Sequence, residues 1–250
     1  MAVRTDALCS KARSVSPLEA PLPLQKAPVM KLYSRPLSPY SSIVRALAYL
    51  KDLPLKIIAP PAGFPIPEEF RAISPLNRIP VLITGSGETI VESVVIAEYL
   101  EERFPEPALL PADSKDRALV RMFSRIVDLD VLTPVTRLFE LHFVPVRDEA
   151  AIAAQFVRLH HGLAAVEARM AQGPFALGDT VSFADAWLTP TRFVFNHFRE
   201  MTGQSDLLAA YPKFDAYEQI ALQQPALSQV WGEMSDGLKV FLTELEAGAA

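Results

Sequence analysis

The chain is poor in the residues that build metal and redox centres. It has one cysteine, Cys9, so no internal disulfide can close and no cysteine metal cluster can form. Its 4 histidines include one adjacent pair, His160 and His161, and show no metal-ligand spacing. No metal site is expected. Positive charge is also short: 24 Lys and Arg stand against 29 Asp and Glu, a net charge of −5, which argues against a nucleic-acid partner. No apolar run approaches the roughly 20 residues of a membrane span, so no membrane partner is expected. What remains is ample apolar material. Half of the 250 residues are hydrophobic, enough for one large or two modest domains with a real core. A soluble cytoplasmic protein is the expectation.

Residues 1–29 read differently from the rest. Pro17, Pro21, Pro23 and Pro28, several serines and mixed charge leave no hydrophobic period, the pattern of a disordered arm. Arg4, Lys11 and Arg13 hint at a targeting peptide, but no apolar stretch follows them, and Asp6 and Glu19 intrude.

From Met30 the order of elements becomes legible. Residues 31–34 predict a short strand, and 39–50 a helix with Ile43, Val44, Ala46, Leu47 and Leu50 on its apolar face. A second strand is expected over 55–59, a Pro-rich loop over 59–65 and a short helix or turn over 68–73. Two β-branched runs, 81–84 and 89–91, flank Gly85-Ser86-Gly87-Glu88, a hairpin signal. Pro80 sits at the first strand position, one of the few that tolerate it. A helix to about Arg103 follows, and Pro105, Pro107 and Pro111 then break the chain. The pattern βαβ–ββα predicts a mixed sheet.

Beyond Asp113 the pattern is helical throughout. Leu119, Met122, Phe123, Ile126 and Val127 recur at helical spacing over 114–130. Pro134 and Pro145 are expected to separate this helix from one over 148–172. Further helices are expected over 185–198, 212–223 and 238–245. Ser182 and Asp185 stand three apart before an apolar helix, so they read as a capping box, and Asp185 as structural rather than catalytic. The expected division is an arm at 1–29, an α/β domain at 30–104, a linker at 105–112 and an all-α domain at 113–250.

One stretch carries most of the functional signal: Arg78-Ile79-Pro80, the hairpin, then Glu92-Ser93 at the head of a helix. A helix N-terminus offers unpaired N–H groups and partial positive charge, so it can hold a carboxylate. Glu92 can hold an ammonium. Together the pair suits an α-amino-acid end group. The plainer reading makes Ser93 an N-cap and Glu92 a favourable first-turn charge.

This strand-turn-strand-helix order, followed by a helical half with Leu177-Gly178-Asp179-Thr180-Val181-Ser182-Phe183-Ala184-Asp185, resembles the cytosolic glutathione transferase family. The resemblance implies a thioredoxin-like N-terminal domain, a helical C-terminal domain and glutathione as co-substrate. It also implies Glu92 and Ser93 on the γ-glutamyl end, the backbone of Ile79 before Pro80 on the cysteinyl unit, and Arg78 on the glycyl carboxylate. Family members pair as two-fold dimers. Arg117, Arg121 and Arg125 facing Glu98, Glu101 and Glu102 across the axis would suit such pairing, unless both rows simply face water.

Catalysis is expected at Leu37-Ser38-Pro39-Tyr40. Proline favours the first helical position and pushes the residue before it out of helical angles, so Ser38 should be the N-cap. A thiolate there would gain from the dipole and from a hydroxyl hydrogen bond. A free thiol has a pKa of about 8.5, and lowering it by one to two units takes roughly 1.4–2.7 kcal/mol, within reach of such a site. Aligned on Arg45, Ser38 falls where zeta-class relatives have an active serine and omega-class relatives a cysteine. Ser41 and Tyr33 are rival hydroxyls. Leu37, Tyr40, Leu132, Phe139, His142 and Phe143 are candidates for the second-substrate pocket, and Arg121, Arg125 or Arg137 for holding an anion.

The function expected is attack of the glutathione thiolate on a small, electrophilic, mostly apolar substrate. A non-catalytic binding module of the same fold is the alternative. Glutathione-dependent isomerisation stands further out, because the Arg-Val-Arg and double serine-cysteine of zeta enzymes are absent.

Overall fold

A computed structural model describes residues 29–63, 65–142 and 144–248. The arm expected at 1–29 lies outside them apart from Val29, and so does Phe143.

Met30–Tyr33 (β1) alternates buried and exposed, with Met30 and Leu32 turned into the core and Lys31 out. It runs parallel to Leu55–Ile58 (β2) and antiparallel to Val81–Ile83 (β3), which pairs with Thr89–Val91 (β4). The mixed sheet has the order β2-β1-β3-β4. Pro39–Leu50 (α1) covers it. Its length suits its sequence: Ser38 caps it in extended conformation, Pro39 takes the first position, and Ile43, Val44, Ala46 and Leu47 are buried. A 3₁₀ turn spans Glu68–Ala72, and Ser93–Arg103 (α2) closes the domain. The Ile79–Pro80 peptide is cis.

The all-helical part comprises Ser114–Ile126 (α3), Thr133–His142 (α4), Glu149–Arg169 (α5), Phe183–Thr202 (α6), Pro212–Ala221 (α7) and Pro225–Gly248 (α8). Asp113 and Asp148 cap α3 and α5 by accepting backbone N–H groups. α6 is buried on every side from Phe183 to Phe195, among α1, α3, α7 and α8, and its polar residues Asp185, Thr189, Thr191 and Arg192 are buried with it. The Asp185 carboxylate accepts from the Ser182 N–H (2.8 Å), Ser182 Oγ (3.0 Å), the Ala176 N–H (2.9 Å) and the Tyr217 hydroxyl (2.8 Å), so its work is structural.

The structure departs from the sequence expectation in two places. Pro134 does not interrupt the helix. Val127–Leu132 widens into a π turn, and Thr133 directs both its N–H and its hydroxyl to the Asp128 carbonyl. Proline lacks a donor and crowds the carbonyl four residues back, and a widened turn relieves both. That turn leans on α5 at Gly162, where a Cβ would stand 2.1 Å from the Asp130 carbonyl oxygen. Only glycine permits the approach. The second departure is α8, which starts at Pro225 rather than near residue 238. Gly232 and Gly237 weaken its helical signal, and packing against α1 and α6 supplies what propensity does not.

Candidate active site

A cleft of about 500 Å³ opens between the two domains. From the α/β domain come Tyr40, Ser74, Leu76, Arg78, Ile79, Pro80 and the segment Val91-Glu92-Ser93-Val94. Facing them are Arg125, Asp128 and Leu129 from α3 and the π turn, and Thr136 and Glu140 from α4.

The first wall follows from chain geometry. β3 begins at Val81, so the Ile79 backbone lies beyond the ladder. Ser74 fixes the approach to it, its hydroxyl accepting from the Arg78 N–H (3.0 Å) and donating to the Arg78 carbonyl (2.8 Å). The Arg78 side chain is exposed and has no ion-pair partner among the described residues. Glu92 takes φ 70°, ψ 118°, a left-handed conformation that costs a non-glycine residue roughly 1–3 kcal/mol. No side chain caps the first turn of α2. The orphan N–H groups there remain available to a carboxylate, beside the largely buried Ser93.

Asp128 completes this end from the opposite domain. Burial holds its carboxyl above the ordinary range, Arg125 pulls it down, and the Glu92 carboxylate pushes it up again. Arg125 Nη1 donates to it at 2.5 Å. The two carboxylates line one cleft, and together they offer acceptors for a cation. Nothing in the motif reading pointed to Asp128. Its one signal was an acid set among Val120, Phe123, Val127 and Val131, on the buried stripe of the helix.

Ser38 is half-buried two residues before Tyr40, outside the ring of residues that encloses the cleft. Its Oγ accepts from the Ser41 N–H at 3.3 Å, which leaves its own proton free to donate. Ser41 is fully buried and its hydroxyl has no hydrogen-bond partner among the described residues. The Tyr33 ring packs edge-on against Phe70, 5.4 Å between centroids.

Of the described residues expected to line a second-substrate pocket, only Tyr40 stands in the wall of this cleft. Tyr40 lines the cleft, its hydroxyl 3.4 Å from Thr133 Oγ1. Leu37 is packed against the core. Leu132 is fully buried, Phe139 packs edge-on to Phe198, and His142 is not in the wall. The π turn explains the difference. Its rings take one more residue than α-helical ones, so the face of α4 advances by about one position. Thr136 and Glu140 turn to the cleft, while Leu132, Val135 and Phe139 turn to the core. The wall is accordingly polar, not the aromatic stripe expected. Of the candidate arginines, Arg125 reaches the cleft. Arg121 pairs with Glu98 and Arg137 with Glu140.

Of the charge rows expected to face a partner, Arg117, Arg121, Arg125, Glu98 and Glu101 are engaged within the chain. Arg121 grips Glu98 at 2.5 and 2.8 Å, and Arg117 donates to the carbonyls of Pro111 and Ala112. Glu101 is buried, holds Lys51 at 2.7 Å and accepts from the N–H groups of Leu109 and Leu110. It ties the inter-domain segment to α1 and α2. No described helix is long and apolar enough to cross a membrane, and no described group of His, Cys, Asp and Glu could hold a metal.

The family described as "Glutathione S-transferase, N-terminal domain" matches residues 32–108, and "Glutathione S-transferase, C-terminal domain" matches 149–219. A maleylacetoacetate isomerase of Pseudomonas aeruginosa is 31% identical over 208 residues, covering 80% of this chain and 94% of that protein. A maleylpyruvate isomerase of a Ralstonia species is 35% identical over 171 residues, 64% of this chain and 80% of that protein. Among solved structures, a bacterial zeta-class maleyl pyruvate isomerase superposes with a TM-score of 0.68 at 32% identity, over 80% of this chain and 95% of that one.

Proposed function

Because this chain belongs to the glutathione S-transferase family, we propose that it is a glutathione-dependent enzyme with Ser38 at its reactive centre. The residues present fit the tripeptide. Glu92 and Asp128 suit its α-ammonium, Ser93 and the α2 N-terminus its γ-glutamyl carboxylate, the Ile79 backbone its cysteinyl unit, and Arg78 its glycyl carboxylate. Bound glutathione supplies a thiolate nucleophile. Ser38 donates its free hydroxyl proton to that sulfur, and the α1 N-terminus adds its dipole.

The reaction we favour is isomerisation of a small cis-unsaturated acid of the maleyl type, rather than conjugation of an apolar electrophile. Addition of a thiolate to a double bond conjugated with a carbonyl gives an enolate with a single bond that can rotate; collapse of the enolate then expels the thiolate and leaves the trans isomer. The observation that carries this reading is similarity to isomerases along most of their length, over a cleft whose wall holds Arg125 where an apolar pocket was expected. Arg125 spends one N–H on Asp128 and keeps others for a substrate carboxylate. Against it stand the motif departures, Ile43-Val44-Arg45 and Ser38-Pro39-Tyr40.

Incubation with maleylpyruvate and substoichiometric glutathione distinguishes the alternatives. Isomerisation converts the acid over many turnovers with free thiol conserved. Conjugation consumes thiol mole for mole. Retention on immobilised glutathione without either would leave a binding module.

Two-fold pairing belongs to the same proposal. Val95 on α2 and Leu119 and Met122 on α3 expose apolar surface beside the Arg121–Glu98 pair.

A further inference from the structure

We infer that Arg45 and Glu233 are positioning residues for the Ser38 hydroxyl, with α8 serving as the fixed back wall of the loop that carries it. The inference rests on the assignment of Ser38 above.

Arg45 is 2% exposed, an extreme burial for a guanidinium, and four of its N–H contacts go to the segment ahead of α1 or to its first turn. Nη1 donates to Ser34 Oγ (3.2 Å) and the Arg35 carbonyl (3.3 Å). Nη2 donates to the Pro36 carbonyl (2.6 Å) and Ser42 Oγ (2.7 Å). Two of these acceptors hold Ser38 itself. The Arg35 carbonyl also accepts the Ser38 N–H at 3.1 Å, and Ser42 Oγ donates to the Ser38 carbonyl at 2.8 Å. Both peptide groups of Ser38 are thus one step from a single planar cation. A planar fork can fix this geometry, and a lysine ammonium cannot.

The remaining edge of the guanidinium faces α8. Arg45 Nε lies 3.1 Å from Glu233 Oε2, an ion pair whose N–H does not align as a hydrogen bond. Glu233 Oε1 is held by the Tyr49 hydroxyl (2.9 Å) and Gln229 Nε2 (3.2 Å). Four residues on, Gly237 presents bare backbone to the same loop. A Cβ there would stand 2.8 Å from Leu37 N and 2.9 Å from Pro36 Cβ. α8 therefore bears on the Ser38 loop twice, at Glu233 through Arg45 and at Gly237 by direct contact.

The test compares Glu233→Gln, Gly237→Ala, Ser38→Ala and the double variant Ser38→Ala/Glu233→Gln. Three quantities are read: glutathione affinity by calorimetry, the ultraviolet thiolate titration of the complex, and kcat against KM. Glu233→Gln and Gly237→Ala are expected to raise the pH midpoint of thiolate formation and lower kcat about tenfold, with affinity changed less than about threefold, as misplacement of a reacting group does. In the Ser38→Ala background Glu233→Gln is expected to add nothing further. Wild-type titrations in both single variants, with Ser38→Ala impaired, would overturn the inference and leave the Ser38 assignment standing. Lower melting temperature and affinity with an unmoved thiolate titration would overturn it too, as a purely structural role. An unimpaired Ser38→Ala would instead remove the assignment on which it rests.

Discussion

Asp128 and Glu92 line one cleft from different domains. After burial, and against the pull of Arg125, the Glu92 carboxylate helps hold the Asp128 carboxyl above its ordinary range. A cation bound between them would favour the ionised form of Asp128. Among the described residues, Arg125 pairs with Asp128, and Arg78 lines the same cleft.

Binding should report this. Glu92→Ala or Ser93→Ala should each weaken glutathione by about 1.5–3 kcal/mol, by removing a charge-assisted bond to an end group. Asp128→Asn should cost about 1–2 kcal/mol, and its effect should shrink in the Glu92→Ala background. Calorimetry measures all three, and unchanged affinity in Glu92→Ala and Ser93→Ala would move the ligand elsewhere.

The pH dependence has a definite sign. The Asp128 carboxyl sits above 3.8 in the folded protein, so folding takes up a proton between the unfolded and folded values. Asp128 therefore lowers stability as pH rises through that window, and Asp128→Asn should flatten the slope in denaturant titrations. Affinity runs the other way. An ammonium needs the ionised carboxyl, so glutathione binding should weaken as pH falls through the same window. Loss of that weakening in Asp128→Asn is the check.

On chemistry, Ser38→Ala should raise the thiolate pKa of bound glutathione by about one to two units and lower turnover, with affinity nearly unchanged. Ser41→Ala and Tyr33→Phe are the controls. Full activity in Ser38→Ala, with loss in either control, would reassign the hydroxyl.

Stability should depend on a different acid. Asp185→Ala strips partners from the Ser182 and Ala176 N–H groups and from the Tyr217 hydroxyl, and should cost about 3 kcal/mol or more in urea unfolding. Arg121→Ala removes a partly exposed pair and should cost about 0.2–1 kcal/mol.

Assembly should be insensitive to salt. The Arg121–Glu98 contact lies within one chain, and the surface beside it is apolar: Val95, Leu119 and Met122. Light scattering should give about twice 27.5 kDa at both low and moderate salt. A mass near 27.5 kDa at micromolar concentration would exclude the pair.

Local signals in the sequence determined much of this protein. Ser38-Pro39 set the start of α1, Gly85–Glu88 the hairpin, and Ser182 with Asp185 the head of α6, because caps, turns and proline act within a few residues. Ile79-Pro80 and Glu92-Ser93 marked one wall of the cleft for the same reason: each is a backbone device readable in place. The opposite wall is legible in the sequence only at Arg125. Pro134 reads as a break, and only packing against Gly162 shows that the chain answers it with a π turn. That turn carries Thr136 and Glu140 to the cleft and Leu132 and Phe139 into the core. The glycines of α8 weaken its local helical signal, whereas in the fold Gly237 is what lets the helix close on Leu37. Asp128, Arg45 and Glu233 take their meaning from partners 36, 188 and 188 residues away in sequence, at Glu92, Glu233 and Arg45. Interactions across such separations depend on how the two domains pack, which no local pattern encodes.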